Sequence, residues 1–273
     1  MSSNQNADTA ASRTLLAADE PAAFRIVNPD STSPLLLLCD HASRRIPAAL
    51  GSMGLDPAAL RCHLAWDIGA GALTETLAQR LGATAVLCNY SRLVVDCNRQ
   101  LLDPQAFLEF GDGVIIHGNR ALNEEQKKAR ATEIFWPYHA AIDKQIKRLT
   151  AAGITPIILA IHSFTPVMNG VSRPWEIGIL WDKDPAVPDI LIPALRVAGF
   201  NVGDNEPYSG RAPQDFTIDN HAENAGLPHS GIEVRQDLIA RSAGVLRIAD
   251  VFEATLKTVP PLLNDKGSNA ALA

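Results

Sequence analysis

Short apolar runs alternate with longer helical segments along most of this chain, and that alternation constrains its fold more than any other feature. The runs, which are mostly β-branched or leucine-rich, fall at residues 35–39, 85–88, 155–161, 176–181, 200–203 and 232–234, with a further short run at 93–96. Runs that are apolar throughout are typical of strands covered on both faces. The pattern therefore predicts an α/β fold with three layers, α/β/α, and a mostly parallel mixed sheet.

The helical segments between these runs are predicted from apolar periodicity and from breaker residues. Residues 68–81 carry leucines at helical spacing and end at Gly82, a typical C-terminal cap. The longest segment, 124–149, contains Trp136-Pro137, which we expect to break or kink it because proline cannot complete the helical hydrogen bonds. Further helices are predicted at 56–63, 186–198 and 237–256.

The length of 273 residues fits one domain of the upper size range. Residues 1–20 are small and polar and are predicted to form a disordered tail. Residues 261–273 are predicted to form a flexible C-terminal tail. A single catalytic α/β domain would then span residues 21–260.

Charge and composition limit the classes of partner. A net charge of −6 argues against nucleic acid, which needs a basic face. The longest apolar runs are too short to cross a bilayer, and the N-terminus lacks an apolar signal segment, so a cytoplasmic location is expected. None of the four cysteines lies in a CxxC pair, which argues against a thiolate zinc site. Monomer and homodimer both stay open.

Two histidines and a glutamate lie at or just after predicted strands, where ligand sites gather in such sheets. His41 follows the first run, His162 follows run 155–161, and Glu233 lies within the last. Hydrolytic zinc takes three histidine or carboxylate ligands and leaves one position for water, and a further carboxylate must move the proton of that water. The alternative is that each histidine is an ordinary hydrogen-bonding residue. His63 and Asp67, four residues apart, could likewise share a metal or form a simple helix-surface pair.

The segment SRLVVDCNR, residues 91–99, places Arg92 and Arg99 around Asp96 and Asn98. Guanidinium groups bind carboxylates through two parallel hydrogen bonds, and an asparagine amide adds a donor. We therefore interpret these four residues as a site for a carboxylate-bearing small molecule. The alternative is an internal salt-bridge network, and both hold if Asp96 orients one arginine while the other faces the ligand.

Two residues outside these motifs are candidates to line the same pocket. His221 flanks a loop near Glu233, and Tyr208 lies in a second loop. A tyrosine can donate a hydrogen bond to a developing oxyanion, although an exposed loop tyrosine is the commoner case. His139, within the long helical segment, is interpreted as structural.

Five segments together resemble the N-formylglutamate amidohydrolase family. They are CDHASRRIP (39–47), HLAWDIGAGALTETLAQRLGA (63–83), YSRLVVDCNR (90–99), IHSFTP (161–166) and GIEVRQDLI (231–239). Many family members carry Pro-His-Ser-Gly or Pro-His-Ala-Gly at the first histidine, whereas this chain has Asp40-His41-Ala42-Ser43. The resemblance is therefore to a divergent branch.

The resemblance implies a fold similar to that of the zinc carboxypeptidases and their phosphorylase/hydrolase-like relatives. It implies zinc, or another divalent metal, and hydrolysis of the amide bond of an N-acyl amino acid such as N-formylglutamate. Its implied ligands are His41, Asp67 and His162. Zinc carboxypeptidases place glutamate three residues after the first histidine, where this chain has Arg44, so Asp40 and His63 remain alternatives to Asp67.

The resemblance also implies roles for the remaining residues. Glu233 would be the general base and then the acid. A separate mechanistic hypothesis is that the metal ion, helped by Arg92 or a loop donor, stabilises the oxyanion. Asn98 and Arg99 would hold the substrate carboxylate. Two other functions stay open: a metal-free protein that binds a small anion on the same fold, and a zinc amidase or carboxypeptidase acting on a peptide-like substrate.

Overall fold

A seven-stranded sheet with helices on both faces forms the centre of the protein. The computed structural model describes residues 14–211 and 215–270. The strands are β1 (Phe24–Val27), β2 (Leu35–Cys39), β3 (Thr84–Cys88), β4 (Phe110–Gly111), β5 (Val114–Ile115), β6 (Ile157–Phe164), β7 (Val167–Met168), β8 (Val171–Ser172), β9 (Ile177–Leu180), β10 (Val202–Asp204) and β11 (His229–Arg235). The order in the sheet is β1-β3-β2-β6-β11-β9-β10, and β4-β5 and β7-β8 are separate hairpins.

The central strands β3, β2, β6 and β11 run parallel to one another. Strand β1 is antiparallel to β3 at one edge, and β11 is antiparallel to β9, which in turn runs parallel to β10. Every residue of β2, β3 and β6 is buried, as the uniformly apolar runs predicted. The predicted α/β fold with a mostly parallel mixed sheet is confirmed.

The helices are α1 (Ala70–Leu81), α2 (Glu124–Arg130), α3 (Trp136–Ala151), α4 (Pro188–Val197), α5 (Phe216–His221), α6 (Gln236–Ile239), α7 (Ser242–Leu256) and α8 (Val259–Ala270). Helices α1, α4 and α7 cover one face of the sheet, and α3 covers the other. Alternate residues of β2 enter the two cores: Leu35 and Leu37 face α1, whereas Leu36 and Leu38 face α3. This alternation follows from the two-residue period of a strand.

Several predicted elements differ in detail. The long segment 124–149 is divided by one π-helical turn, Ala131–Phe135, and Pro137 lies in the first turn of α3, where its missing N–H is tolerated. Residues 93–96 form a turn rather than a strand, and 56–63 contains only the 3-10 turn Ala59–Arg61. Segment 237–256 is two helices, α6 and α7.

The predicted tails at the two chain ends lie partly within the described residues. Residues 1–13 and 271–273 lie outside the described residues. Leu15 is buried, and the backbone N–H groups of Leu15 and Leu16 donate to the Glu133 carboxylate. Residues 261–270 continue α8. Among the described residues, no helix combines the length and apolar character that crossing a bilayer requires.

Gly69 is needed where the chain turns from Asp67 into α1. Its φ is 84°, and a Cβ there would lie 2.2 Å from the carbonyl oxygen of Ile239. A left-handed conformation costs a residue with a Cβ about 1–2 kcal/mol, and the overlap adds to this. We expect Gly69→Ala to lower the free energy of unfolding in urea by at least about 2 kcal/mol.

The matched control for this prediction is Gly82→Ala. Gly82 also has a left-handed φ, 58°, but no atom lies within 4 Å of its would-be Cβ. We expect it to lose only about 1 kcal/mol. Equal losses in the two variants would contradict the contact with Ile239.

Candidate metal centre and active site

Polar side chains from three adjacent strands gather at one edge of the sheet. His41 follows β2, His162 lies in β6, and Glu233 lies in β11 directly opposite His162 in the parallel pair. Asp67 comes from the segment before α1, where its backbone N–H donates to the His41 carbonyl. The four side chains line one cavity of about 460 Å³.

Asp67 lies between the two histidines. Its Oδ2 is 3.3 Å from Nδ1 of His41 and 3.0 Å from Nδ1 of His162. One ligand atom from each of the three residues lies within 4.8 Å of the others, and all three residues are buried. Atoms bound at about 2.1 Å to one tetrahedral ion lie roughly 3.4 Å apart, so this spacing fits a shared cation.

A second carboxylate contacts the far nitrogen of each imidazole. Asp96 Oδ1 lies at hydrogen-bonding distance, 2.8 Å, from Nε2 of His41. Asp40 Oδ2 lies 3.3 Å from Nε2 of His162, an ion-pair contact without a hydrogen bond. Histidines that bind metals commonly donate their other N–H to a carboxylate, which fixes the tautomer and the ring orientation. Both rings are therefore held with Nδ1 towards Asp67.

The electrostatics of the site also suit a cation. Burial alone would lower the pKa of His162, but its contacts with Asp40 and Asp67 hold that pKa well above the usual value. Asp40, Asp67, Asp96 and Glu233 are all at least 93% buried. Burying that many carboxylates is costly without compensating positive charge. A divalent ion fits both the donor set and the charge.

Glu233 has the environment expected of a general base. Its side chain is 7% exposed, and its Oε2 has no hydrogen-bond partner among the described residues. Burial raises the pKa of its carboxyl above the usual value, because the charged form loses water. A carboxylate with a free oxygen in a cavity can accept a proton from a bound water or substrate.

The arginine-bearing segment forms another wall of the cavity, lined by Arg92, Asp96, Asn98 and Arg99. Arg92 donates through Nε and Nη2 to Asp96 Oδ2, at 3.0 and 2.7 Å, and its Nη1 lies 3.6 Å from Asp67 Oδ1. Asp96 is thus engaged by Arg92 and His41, which favours the interpretation that it orients an arginine. Asn98 and Arg99 also line the cavity.

Tyr208 lies at the rim with Arg173 above its ring. The guanidinium carbon of Arg173 is 4.8 Å from the ring centroid, and Nη1 donates to the tyrosine hydroxyl at 3.0 Å. Arginine has no acceptor, so the phenol accepts this bond and keeps its own proton to donate. His63 lies at the mouth, paired with Asp112 at 2.8 Å rather than with Asp67.

His221 is not among the residues that line the cavity, so its predicted place in the pocket is corrected. It is buried between α5 and α3, with Nε2 2.8 Å from His139 Nδ1 and Nδ1 2.9 Å from Asp143 Oδ1. The cause is its position at the end of α5, which turns it towards α3. His139 is buried in the same cluster, and its Nε2 lies 2.9 Å from the Cys97 carbonyl.

Two further residues of the site, Thr217 and Arg173, are not predicted from the sequence. Thr217 hydrogen-bonds Asp40, 177 residues away, and Arg173 reaches Tyr208 from the β7-β8 hairpin. Neither lies after a strand of the central sheet or in a motif of charged residues. No local signal marks them, because their contacts depend on how distant segments pack.

Comparisons with known proteins agree with this architecture. The profile of the N-formylglutamate amidohydrolase family matches residues 33–240. The crystal structure of gene product Atu2144 from Agrobacterium tumefaciens is 34% identical, has a TM-score of 0.88, and is matched over 92% of this chain and 99% of that chain. No match to a curated protein sequence was found.

A second solved structure supports the fold alone. N-formylglutamate amidohydrolase from Ralstonia eutropha JMP134 is 19% identical, with a TM-score of 0.70 over 90% of this chain and 100% of that chain. The family profile, by contrast, covers most of the sequence and includes His41, Asp67, His162 and Glu233. The chain belongs to the N-formylglutamate amidohydrolase family.

Proposed function

We propose that this protein is a metal-dependent amidohydrolase that cleaves the amide bond of an N-acyl amino acid such as N-formylglutamate. The observation that carries the proposal is the convergence of His41, Asp67 and His162 beside the unpaired carboxylate oxygen of Glu233. Membership of the amidohydrolase family supports the reaction class. The arrangement provides separate groups for metal binding, proton transfer and carboxylate recognition.

His41, Asp67 and His162 would hold the metal ion. Zinc fits this set of nitrogen and oxygen donors, and other divalent ions tolerate it. When bound, such an ion polarises a carbonyl and lowers the pKa of water to about 7. Asp96 and Asp40 keep the two imidazoles oriented for this role.

Glu233 would move the proton. Its carboxylate would accept a proton from the attacking water and then donate it to the leaving nitrogen, so that the amine departs neutral. The low exposure of the side chain favours this exchange, because its raised pKa brings the acid and base forms closer in free energy.

Arg92 and Tyr208 would stabilise the negative charge that develops on the acyl oxygen. The guanidinium of Arg92 supplies a fixed positive charge at the cavity wall, where Asp96 restrains it. The phenol of Tyr208 retains a proton for donation because its oxygen already accepts from Arg173. Preorganised donors of this kind act most strongly in a cavity from which water is displaced.

Asn98 and Arg99 would bind the α-carboxylate of the amino acid. We expect Arg99→Ala to raise KM about 10- to 100-fold with a smaller change in kcat, because a hydrogen bond to a charged group contributes about 1.5–3 kcal/mol. Steady-state kinetics on N-formylglutamate would measure it. An exposed arginine outside the cavity, Arg241, serves as the control variant. An unchanged KM for Arg99→Ala would remove Arg99 from carboxylate binding.

The function itself is tested by metal analysis combined with a substrate panel. The purified protein is incubated with zinc and with formyl-, acetyl- and succinyl-glutamate and a small peptide, and the released amine is measured. We expect zinc-dependent release from at least one N-acylglutamate. Release from the peptide alone would favour an amidase or carboxypeptidase, and tight binding without turnover or metal would favour an anion-binding protein.

A further inference from the structure

Thr217, at the start of α5, contacts both the metal-binding and the carboxylate-binding sides of the site. Its side chain is fully buried, with 0% exposure. Its Oγ1 donates to Asp40 Oδ1 at 2.8 Å, and its backbone N–H donates to Asn98 Oδ1 at 2.9 Å. One residue thus holds a group on each side of the cavity wall.

The hydrogen bond from the Thr217 hydroxyl restrains the carboxylate of Asp40. With Oδ1 fixed by Thr217, the second oxygen, Oδ2, faces Nε2 of His162 at 3.3 Å. Asp40 is 1% exposed, so no bulk water replaces a lost donor. Losing the hydroxyl would free the carboxylate to turn and would weaken its hold on the imidazole of His162.

The backbone bond orients Asn98. An asparagine amide carries its acceptor and its donors on opposite branches. Because Oδ1 of Asn98 accepts from the Thr217 N–H, the donor group Nδ2 is the branch left for a ligand. This side chain lines the cavity, so the orientation presents two N–H donors where a carboxylate is to be bound.

Helix α5 is itself anchored at both ends. The Asp215 side chain accepts from the Ile218 N–H at its start, and His221 at its end lies within hydrogen-bonding distance of His139 and Asp143. His139 in turn contacts the Cys97 carbonyl, next to Asn98 in the chain. The helix is therefore fixed relative to both Asp40 and the 96–99 segment.

We propose that Thr217 is a positioning residue: its hydroxyl holds Asp40 against His162 and thereby sets the affinity of the site for its metal ion. This inference rests on the proposed metal-dependent function. The hydrogen bond from the backbone N–H of Thr217 to Asn98 does not depend on the Thr217 side chain. A change of side chain should therefore affect metal binding much more than recognition of the substrate carboxylate.

The test compares Thr217→Val, Thr217→Ala and Thr217→Ser in the full-length protein. Zinc affinity is measured without substrate, by competition with a chromogenic chelator. We expect valine and alanine to weaken zinc binding about 10-fold or more, the range found when an outer-shell partner of a metal ligand is lost. Serine, which keeps the hydroxyl, should bind zinc as the wild type does. At saturating zinc, KM for N-formylglutamate should stay close to the wild-type value in all three.

A matched control is Thr255→Val on α7, which removes a largely buried hydroxyl that donates to the Val251 carbonyl of its own helix. Its zinc affinity should not change.

Unchanged zinc affinity in both the Thr217→Val and Thr217→Ala variants would overturn the inference, and so would an equal loss of zinc affinity in Thr217→Ser. If the valine variant does not fold, the alanine and serine pair decides. A wild-type protein that binds neither zinc nor another divalent ion would instead refute the proposed metal-dependent function.

Discussion

Replacing Glu233 with glutamine is expected to lower kcat by roughly 10²- to 10⁴-fold, the contribution typical of a positioned general acid–base. Glutamine keeps the size of the side chain and a carbonyl oxygen, but it cannot take up and return a proton near neutral pH. Glu233 lines the cavity, opposite His162 in the adjacent strand, and glutamine fills the same space. We therefore expect the variant to fold normally and to lose the proton transfer. The measurement is single-turnover and steady-state release of amine from N-formylglutamate at saturating zinc.

Metal content distinguishes this effect from damage to the metal site. Glu233 is not one of the three residues that share the candidate ion, so Glu233→Gln should bind zinc stoichiometrically. The control is Glu223→Gln, since the Glu223 side chain is 6% exposed but does not line the cavity. We expect that variant to keep a kcat near that of the wild type. Full turnover by Glu233→Gln would exclude Glu233 from proton transfer.

Replacing His162 with alanine is expected to abolish stoichiometric zinc binding. The variant loses a direct ligand, and the loss of affinity should exceed the roughly 10- to 100-fold that follows removal of an outer-shell partner. Asp40 and Asp67 would also keep their buried charges without the imidazole between them. We therefore expect the metal-free variant to lose about 3–5 kcal/mol of unfolding free energy.

The matched control for that variant is His229→Ala. His229 is a buried histidine, 1% exposed, whose Nδ1 lies 2.8 Å from the Leu227 carbonyl and which does not line the cavity. Its replacement should cost stability while zinc binding persists. Zinc is measured by elemental analysis after gel filtration, and unfolding by urea titration in the presence of a chelator. A His162→Ala protein with wild-type zinc affinity would remove His162 from the ligand set.

The sequence predicted the parts of this protein that follow from local patterns. The leucine run of β2 and the isoleucine-rich run of β6 are apolar because both faces of the sheet are covered. The rule that ligand sites gather beyond strand ends then identified His41 and His162, which the structure brings together. The Arg92–Asp96 pair could also be predicted from the sequence, because the two residues are only four positions apart.

Features that depend on long-range packing were not predictable in this way. The antiparallel pairing of β1 at the edge of the sheet has no signature in the sequence of either strand. Thr217 and Asp40 meet only because α5 packs against α3, β6 and β11. The sequence around His221 has no periodic pattern that would indicate that this side chain faces α3 rather than the pocket. Such contacts involve few residues, and no repeated pattern along the chain predicts them.

The most direct test of the metal centre is the anomalous scattering of crystals grown with zinc, recorded on both sides of the zinc absorption edge. We predict one strong peak between Nδ1 of His41, Nδ1 of His162 and the carboxylate of Asp67, with Glu233 beside it and not bound to it. The same crystals would show whether Asp40 and Asp96 keep their contacts with the outer nitrogens. A fully ordered site without a peak, or a peak held by other residues, would contradict the assignment of this centre.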